Sequence, residues 1–256
     1  MHHIFLIFCL INVCFLYLLE NIGFLFRIAG FDEDNVVAGY SFQTTFSFGA
    51  RIFTLFFTPI FAYLADTKNI NIFYYDILIY YLALYSFILF SIKKVDKIVN
   101  VLRIIISSQL AGKSVLKATF QKKVIVNFIK IIFPIRIPRN LRIKFDNHPI
   151  TNQLGEKRIL NNFSLTYVPC YSCWIIISLL IVIFPDKPSF IISLSTFFTL
   201  LATIYQSLYF DPWISRHVKN KEFSRSVYLQ LQFLKLRSVL ISFLISSLIY
   251  LITFAR

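Results

Sequence analysis

GYSFQTTFSFGARIFTLFFTPIFAYLAD, residues 39–66, is long enough to cross a bilayer and has one charge in its interior, Arg51. A helix turns by about 100° per residue, so the polar side chains of this stretch gather on about a third of its circumference. They are Tyr40, Thr44, Ser47, Arg51, Thr54 and Thr58. We expect this stripe to face protein or water. The opposite, apolar side is expected to face lipid, and it carries Phe42, Phe46, Phe53, Phe56 and Ile60.

The composition of the whole chain agrees with a membrane protein. Of 256 residues, 57% are hydrophobic and only 15% are charged, which is far from the balance of a soluble domain. One crossing needs about 20 apolar residues. We therefore predict an all-α membrane protein, a polytopic bundle of about six transmembrane helices with a long basic cytoplasmic loop that contains interfacial helices. The chain is expected to form a single membrane domain over residues 1–256.

The apolar runs place the six spans. The first lacks the basic start and the small-residue cleavage site of a signal peptide, so we expect it to be retained. The predicted spans are about residues 4–26, 36–65, 70–92, 163–184, 189–210 and 234–255.

Residues 93–162 form the predicted loop and hold nearly all the excess charge. The loop has fifteen Lys or Arg against three acids, so its net charge is +12, against +14 for the chain. Two short apolar segments, Val101–Leu110 and Val124–Ile135, are expected to lie in the membrane interface. Whether the second enters the membrane is left open.

The distribution of Lys and Arg sets the orientation. Basic residues collect on the cytoplasmic side, so the loops 93–162 and 211–235 are predicted to be cytoplasmic and both termini outside. A loop this basic attracts anionic lipid headgroups, by about 1 kcal/mol per well-placed base. Membrane-surface charge explains it more simply than nucleic acid does, so we expect no nucleic-acid partner.

Ionisable residues within the spans need a partner or a function, because a charge at the bilayer centre costs roughly 3 kcal/mol. We consider Arg51 with Asp76 as one pair, although upright helices leave them about 12 Å apart in depth. A second polar locus combines Glu20 with Arg27 or with the region of Gln43. Each pair could hold helices together, or its cation could bind an anionic substrate.

Motifs typical of enzymes, cofactors and metals are absent from the sequence. There is no Gly-rich phosphate loop and no nucleophile beside a base, so we expect no enzymatic activity and no cofactor. Cys170 and Cys173 have the spacing of half a zinc or redox motif. Without partner ligands they are interpreted as structural.

Several short motifs lie in the first and last thirds of the chain: Phe26–Gly30, Ser41–Asp66 with its central Ala50-Arg51, Asp211-Pro212, Phe223-Ser224-Arg225 and Leu236-Arg237-Ser238. Together they resemble the alternate lipid II flippases of the Amj type. Ser195–Phe198 is bulkier than the family pattern, and the loop 93–162 does not align.

The resemblance implies a protein of the bacterial cytoplasmic membrane that moves lipid II, an undecaprenyl-pyrophosphate-linked peptidoglycan precursor, to the outer leaflet. Such a protein would act in peptidoglycan synthesis and would have a polyprenyl-pyrophosphate lipid as its partner. On this basis, the headgroup path would carry Arg27, Arg51 and Arg237, with Arg225 at the cytoplasmic surface. Asp211 would be a charge partner, beside Glu20 and Asp76.

Three other functions remain open from the sequence. The substrate could be another polyprenyl-linked envelope sugar, or the chain could be a membrane scaffold of an envelope-synthesis complex. It could also be an ion-coupled transporter of a small solute that uses Glu20 and Asp76 as proton carriers. The oligomeric state and the energy source are not encoded in any motif.

Overall fold

A computed structural model describes residues 2–67, 70, 72–112, 114–132, 154–217 and 221–254. The described part is all-helical and contains no strand. Its helices are α1 (His2–Asp32), α2 (Val36–Asp66), α3 (Tyr74–Lys93), α4 (Val95–Leu110), α5 (Val115–Thr119), α6 (Lys122–Ile132), α7 (Leu154–Leu165), α8 (Tyr167–Ile183), α9 (Pro188–Tyr205), α10 (Asp211–His217) and α11 (Lys221–Phe254). The predicted all-α class is confirmed.

Five helical segments of the described chain are long and apolar enough to cross a membrane. They cover His3–Asp32, Tyr74–Lys93, Arg158–Ile183, Pro188–Ile214 and Ser226–Phe254. Each matches one predicted span. The remaining predicted span, 36–65, forms the continuous helix α2 but is not among the five, so a count of six stays a prediction.

Several helix ends differ from the predicted span ends. The third span begins at Tyr74 rather than near residue 70. Asp211 and Pro212 were expected to end the fifth span, yet the helix continues through them to His217. Proline has no backbone N–H to donate, and Pro212 follows the π turn Gln206–Phe210, where the regular α-helical hydrogen-bond pattern is already interrupted.

The turn between α1 and α2 brings these two helices unusually close. Asn35 caps α2, because its side chain accepts a hydrogen bond from the Ala38 amide. A Cβ atom added to Gly30 would lie 2.7 Å from the Gly39 Cα, and one added to Gly39 would lie 2.8 Å from the Phe26 carbonyl oxygen. Only glycine at both positions allows this approach.

This approach overturns one expectation for the first half of α2, that its aromatic side faces lipid. Phe42, expected to face lipid, is buried and stacks on Phe26 of α1. Thr44 of the polar stripe, expected to face protein or water, is exposed, and its hydroxyl donates to the Tyr40 carbonyl oxygen. Helix α1 is therefore contacted by part of the aromatic side and also by the stripe residues Tyr40 and Ser47.

Helix α1 is the centre of the bundle and packs against α2, α3, α4 and α11. Tyrosine hydroxyls link the layers, with Tyr17 donating to the Cys170 carbonyl oxygen (2.7 Å) and Tyr80 to that of Tyr171 (2.9 Å). These bonds join α1 and α3 to α8.

The beginning of the predicted basic loop is helical, as expected for its interfacial segments. Residues 101–110 belong to α4, whose apolar side is buried against α1, and their position in the membrane interface stays a prediction. Arg103 of α4 forms an ion pair with Glu33, with 2.7 Å between Nε and Oε1. The second predicted interfacial segment lies partly in α6, and its end falls outside the described residues.

Candidate functional site

Arg27, near the end of α1, is a buried cation with 4% of its surface exposed. Its Nε donates a short hydrogen bond to the Gln43 side-chain oxygen of α2. Its guanidinium lies over two aromatic rings, with Cζ 4.3 Å from the centre of Tyr40 and 5.3 Å from that of Phe24. Aromatic faces stabilise such a cation by cation–π attraction.

Asp211 provides the opposite charge, and its carboxylate oxygen lies 2.7 Å from the Arg27 guanidinium. It is the first residue of α10 and directly follows a π-helical turn, Gln206–Phe210. A π turn adds one residue to the helix and rotates the next helical segment about its axis, and such turns are common at functional sites. The Asp211 side chain remains 29% exposed, so the pair lies at the edge of the bundle.

We call these groups the Arg27 cluster: Arg27, Gln43, Tyr40 and Asp211. It joins two of the motifs that carry the family resemblance, Phe26–Gly30 and Asp211-Pro212, which are far apart in sequence. It also brings together Arg27 and Gln43 of the predicted second polar locus.

A second buried cation lies deeper in the bundle. Lys235 of α11 is 4% exposed, and its ammonium nitrogen lies 2.8 Å from the Asn21 side-chain oxygen of α1. Gln232 donates to the same oxygen over 3.3 Å, and the ring of Tyr167 lies 4.1 Å from the ammonium. Glu20, the fourth neighbour, interacts electrostatically with Lys235.

We call this group the Lys235 cluster: Glu20, Asn21, Tyr167, Gln232 and Lys235. It is linked to the Arg27 cluster through Tyr167, which lies within electrostatic range of Arg27 and Asp211. Along α1 the two clusters are about 10 Å apart, the rise of about seven residues. Together they place two cations and two carboxylates inside the helical bundle.

The other predicted site residues do not join these clusters in the described structure. Arg237 is exposed on α11. Arg51 and Arg225 lie in α2 and α11, but their side chains fall outside the described part. The interaction of Arg51 with Asp76 therefore stays a prediction.

Asp76 has other contacts, at the beginning of α3. Its carboxylate accepts a hydrogen bond from the Phe73 amide (2.8 Å) and lies 3.2 Å from the His3 ring nitrogen. Because α3 begins at Tyr74, Asp76 lies in its first turn, where a carboxylate stabilises the helix end. Asp76 therefore lies closer to the end of its helix than a span beginning near residue 70 would place it.

Sequence reasoning missed Lys235, Asn21 and Gln232. Lys235 was placed at the edge of the sixth span, but α11 begins at Lys221 and places it in the interior. The sequence contains one indication of a buried lysine, because Lys235 lies between two leucines, Leu234 and Leu236.

All four cysteines, Cys9, Cys14, Cys170 and Cys173, are free and buried. Among the described residues no group of His, Cys, Asp or Glu is arranged to hold a metal ion.

The described part of the chain is all-helical, and five of its helical segments have the length and apolar composition that suggest a multi-pass membrane protein. No family model, curated protein or solved structure matches the chain.

Proposed function

We propose that this protein is a flippase that moves an undecaprenyl-pyrophosphate-linked precursor, lipid II, from the cytoplasmic to the outer leaflet of the bacterial cytoplasmic membrane. The observation that carries the proposal is the buried ion pair of Arg27 and Asp211, at the edge of the bundle and next to a π turn. The choice of lipid II as the substrate rests on the resemblance of the flanking motifs to Amj-type flippases.

The first argument is chemical. A guanidinium binds pyrophosphate through paired hydrogen bonds, with charge assistance on both sides. Arg27 already binds one anion, the Asp211 carboxylate, so a pyrophosphate that enters can replace Asp211 as its partner. Such an exchange keeps the buried cation compensated throughout, which avoids the cost of several kcal/mol for an unpaired buried charge.

The second argument is access. Asp211 is partly exposed, while Arg27 behind it is buried, so a ligand arriving from the edge meets the carboxylate first. The helix that leads towards Asp211, α9, packs mainly on α8. Together with the π turn after it, α9 has a largely exposed apolar surface, with Phe197 and Leu201 exposed on α9 and Leu208 exposed in the turn. An apolar outer wall beside a polar interior suits a substrate whose prenyl chain stays in lipid while its headgroup is shielded.

The test is translocation by the purified protein in liposomes. A fluorescent polyprenyl-pyrophosphate sugar is placed in the membrane, and a membrane-impermeant quencher reports its movement between leaflets. Arg27→Met should slow translocation about 100-fold, because a charge-assisted pair worth about 3 kcal/mol is lost, and about 1.4 kcal/mol is a factor of ten.

The matched control is Arg103→Met. Arg103 also forms a 2.7 Å ion pair with a carboxylate, Glu33, but on the partly exposed rim. Its variant should translocate at the wild-type rate. Growth of cells depleted of their lipid II flippases gives the same comparison in vivo. A well-expressed wild type that neither restores growth nor moves lipid II contradicts the assignment of this substrate.

The position of Glu20 beside Lys235 favours a second function, an ion-coupled transporter of a small solute. A carboxylate next to a buried ammonium can exchange protons within the membrane. The same liposomes separate the two functions. Solute uptake that requires a pH gradient and no polyprenyl lipid would support the second, whereas lipid movement supports the first.

A further inference from the structure

Helix α6 has apolar side chains on two sides, and only one of these sides packs against protein. Val124 and Ile131 are buried, at 1% and 3% exposure, and α6 packs against α4. At about 100° per residue, these two side chains point in nearly the same direction. Ile125, Val126 and Ile129 lie on the opposite side of the helix, and each is at least 38% exposed. We call these three residues the free side of α6.

Exposed lysines accompany the free side. They are Lys117 of α5, and Lys122 and Lys123, the first two residues of α6. Acidic residues are missing from this part of the sequence, because the residues between Asp96 and Asp146 include eleven Lys or Arg and no Asp or Glu. The positive potential of such a surface attracts an anionic partner and repels a cationic one.

The position of α6 in the chain keeps it close to the membrane. Helix α3 is long and apolar enough to cross a bilayer, and it ends at Lys93. Helix α4 begins at Val95 and has 16 residues, so it extends about 24 Å from that end. Because α6 packs against α4, it is held near the membrane surface. Its own 11 residues cover about 17 Å, about half of a hydrocarbon core, so α6 is too short to cross.

Phe120 adds a large aromatic ring beside the free side. It lies two residues before α6 and is 69% exposed. Apolar side chains on one side of a short basic helix are typical of helices that lie in the membrane interface, with the apolar side among the acyl chains and the bases at the headgroups. The hydrophobic effect favours insertion of the apolar side chains, and the bases favour anionic lipids.

We propose that α6 is a membrane-surface helix that binds anionic lipids of the leaflet beside it. Phe120, Ile125 and Ile129 insert between the acyl chains, and Lys117 and Lys122 contact lipid phosphates. The other side of α6 stays on α4, so the helix joins α4 to the membrane surface. This membrane contact goes beyond the flippase function and does not depend on it, because it involves no residue of the Arg27 cluster or the Lys235 cluster.

The experiment measures how fast a cysteine on the free side reacts with an uncharged polyethylene glycol maleimide that is too large to enter a bilayer. The full-length protein, whose four native cysteines are buried, is placed in nanodiscs of phosphatidylcholine with or without phosphatidylglycerol. Each base changes binding to an anionic surface about fivefold. Ile129→Cys should therefore react at least about tenfold more slowly in the nanodiscs that contain phosphatidylglycerol.

Ser107→Cys is the matched control. Ser107 is exposed on the polar side of α4, the helix against which α6 packs. Its cysteine should react at the same rate in both kinds of nanodisc, so a general effect of the lipid on the reagent would be visible there.

A charge variant tests the lysines without altering the free side. Lys117→Gln and Lys122→Gln together, in the chain that carries Ile129→Cys, should restore most of the reaction rate that phosphatidylglycerol removes. Lys187→Gln, which removes an exposed lysine between α8 and α9, should leave that rate unchanged. All three lysines are exposed, so these substitutions do not disturb the packed interior.

Three results would overturn the proposal. Fast reaction of Ile129→Cys in both kinds of nanodisc would mean that the free side faces water. Slow reaction in both, unaffected by the lysine variants, would mean that a protein surface covers it. Restoration of the rate by Lys187→Gln would mean that only the net charge of the chain matters. No translocation is measured, so the flippase function and this membrane contact succeed or fail independently.

Discussion

Arg27 and Lys235 are both cations with only 4% of their surface exposed inside an apolar helical bundle, yet they are compensated in different ways. Arg27 has a carboxylate partner, Asp211, which is 29% exposed and follows a π turn. Lys235 donates its hydrogen bond to a buried amide, Asn21, although the carboxylate of Glu20 lies within electrostatic range of it. Its second amide neighbour, Gln232, is wholly buried.

The difference concerns how easily each cation can change partner. Asp211 directly follows a π turn and keeps 29% of its side chain exposed, so it stays in contact with the surroundings of the bundle when it separates from Arg27. Asn21 is 2% exposed, and moving it would take the hydrogen-bond acceptor away from a buried ammonium, which is costly. We infer that the Arg27 cluster is the exchangeable one and that the Lys235 cluster fixes the helices.

The largest loss of stability is expected when the amide beside Lys235 is removed, and it is compared with removal of the amide beside Arg27. Asn21→Leu should destabilise the fold by about 3 kcal/mol, because Lys235 and Gln232 both lose the oxygen to which they donate, and each buried donor without a partner costs about 1–3 kcal/mol. Gln43→Leu is the matched variant. It should cost only about 1 kcal/mol, since Arg27 keeps the carboxylate of Asp211.

Reversible unfolding in bicelles, followed by steric trapping or by denaturant, measures both free energies. Two equal losses would contradict the distinction between the clusters. A larger loss in Gln43→Leu would reverse it.

The sequence predicted the helical class and five of the spans, because a bilayer demands long apolar helices and these are visible in any window of about 20 residues. It also proposed that Glu20 pairs with Arg27 or with the region of Gln43. Arg27 and Gln43 bond to each other instead, because the short turn at residues 32–35 lets α1 and α2 pair. Local information was sufficient for the helices and not for their polar contacts.

The sequence could not predict which distant groups meet. Arg27 and Asp211 are 184 positions apart, and nothing near Asp211 indicates that a π turn precedes it. Lys235 was misjudged for a different reason. A hydropathy window ends a span at the first basic residues, whereas packing against Asn21 and Tyr167 allows the helix to carry a lysine through the interior.

The next largest loss of stability is expected from a substitution at the contact between α1 and α2, which positions the Arg27 cluster. Gly39→Ala should destabilise the fold by about 2 kcal/mol, because the new Cβ would lie 2.8 Å from the Phe26 carbonyl oxygen and the two backbones would have to separate. Gly49→Ala, on the same helix, meets no atom within 4 Å. It should stabilise α2 by up to about 1 kcal/mol, since alanine is the better helix former.

The separation of α1 from α2 should also act on function. It moves Gln43 away from Arg27 while leaving Asn21 and Lys235 in place. Lipid translocation should therefore fall in Gly39→Ala by more than its loss of folded protein, as measured on liposomes with matched amounts of folded variant. If Gly49→Ala slows translocation equally, a general requirement for a flexible α2 would explain the result, and the crossing itself would not be responsible.

Asp211→Asn should cause the smallest change in stability. It also tests most directly whether a pyrophosphate headgroup replaces Asp211 as the partner of Arg27. An asparagine oxygen can still accept from Arg27, so only charge assistance is lost, worth about 1 kcal/mol at a carboxylate that is partly exposed. The same substitution removes the anion that competes with a pyrophosphate headgroup for Arg27. We therefore expect headgroup affinity to rise several-fold while the free energy of unfolding falls, measured by titration of a polyprenyl-pyrophosphate lipid and by unfolding in bicelles. A variant that loses stability without gaining affinity would mean that Arg27 and Asp211 stay together while lipid is bound, and Arg27 would then fix helices just as Lys235 does.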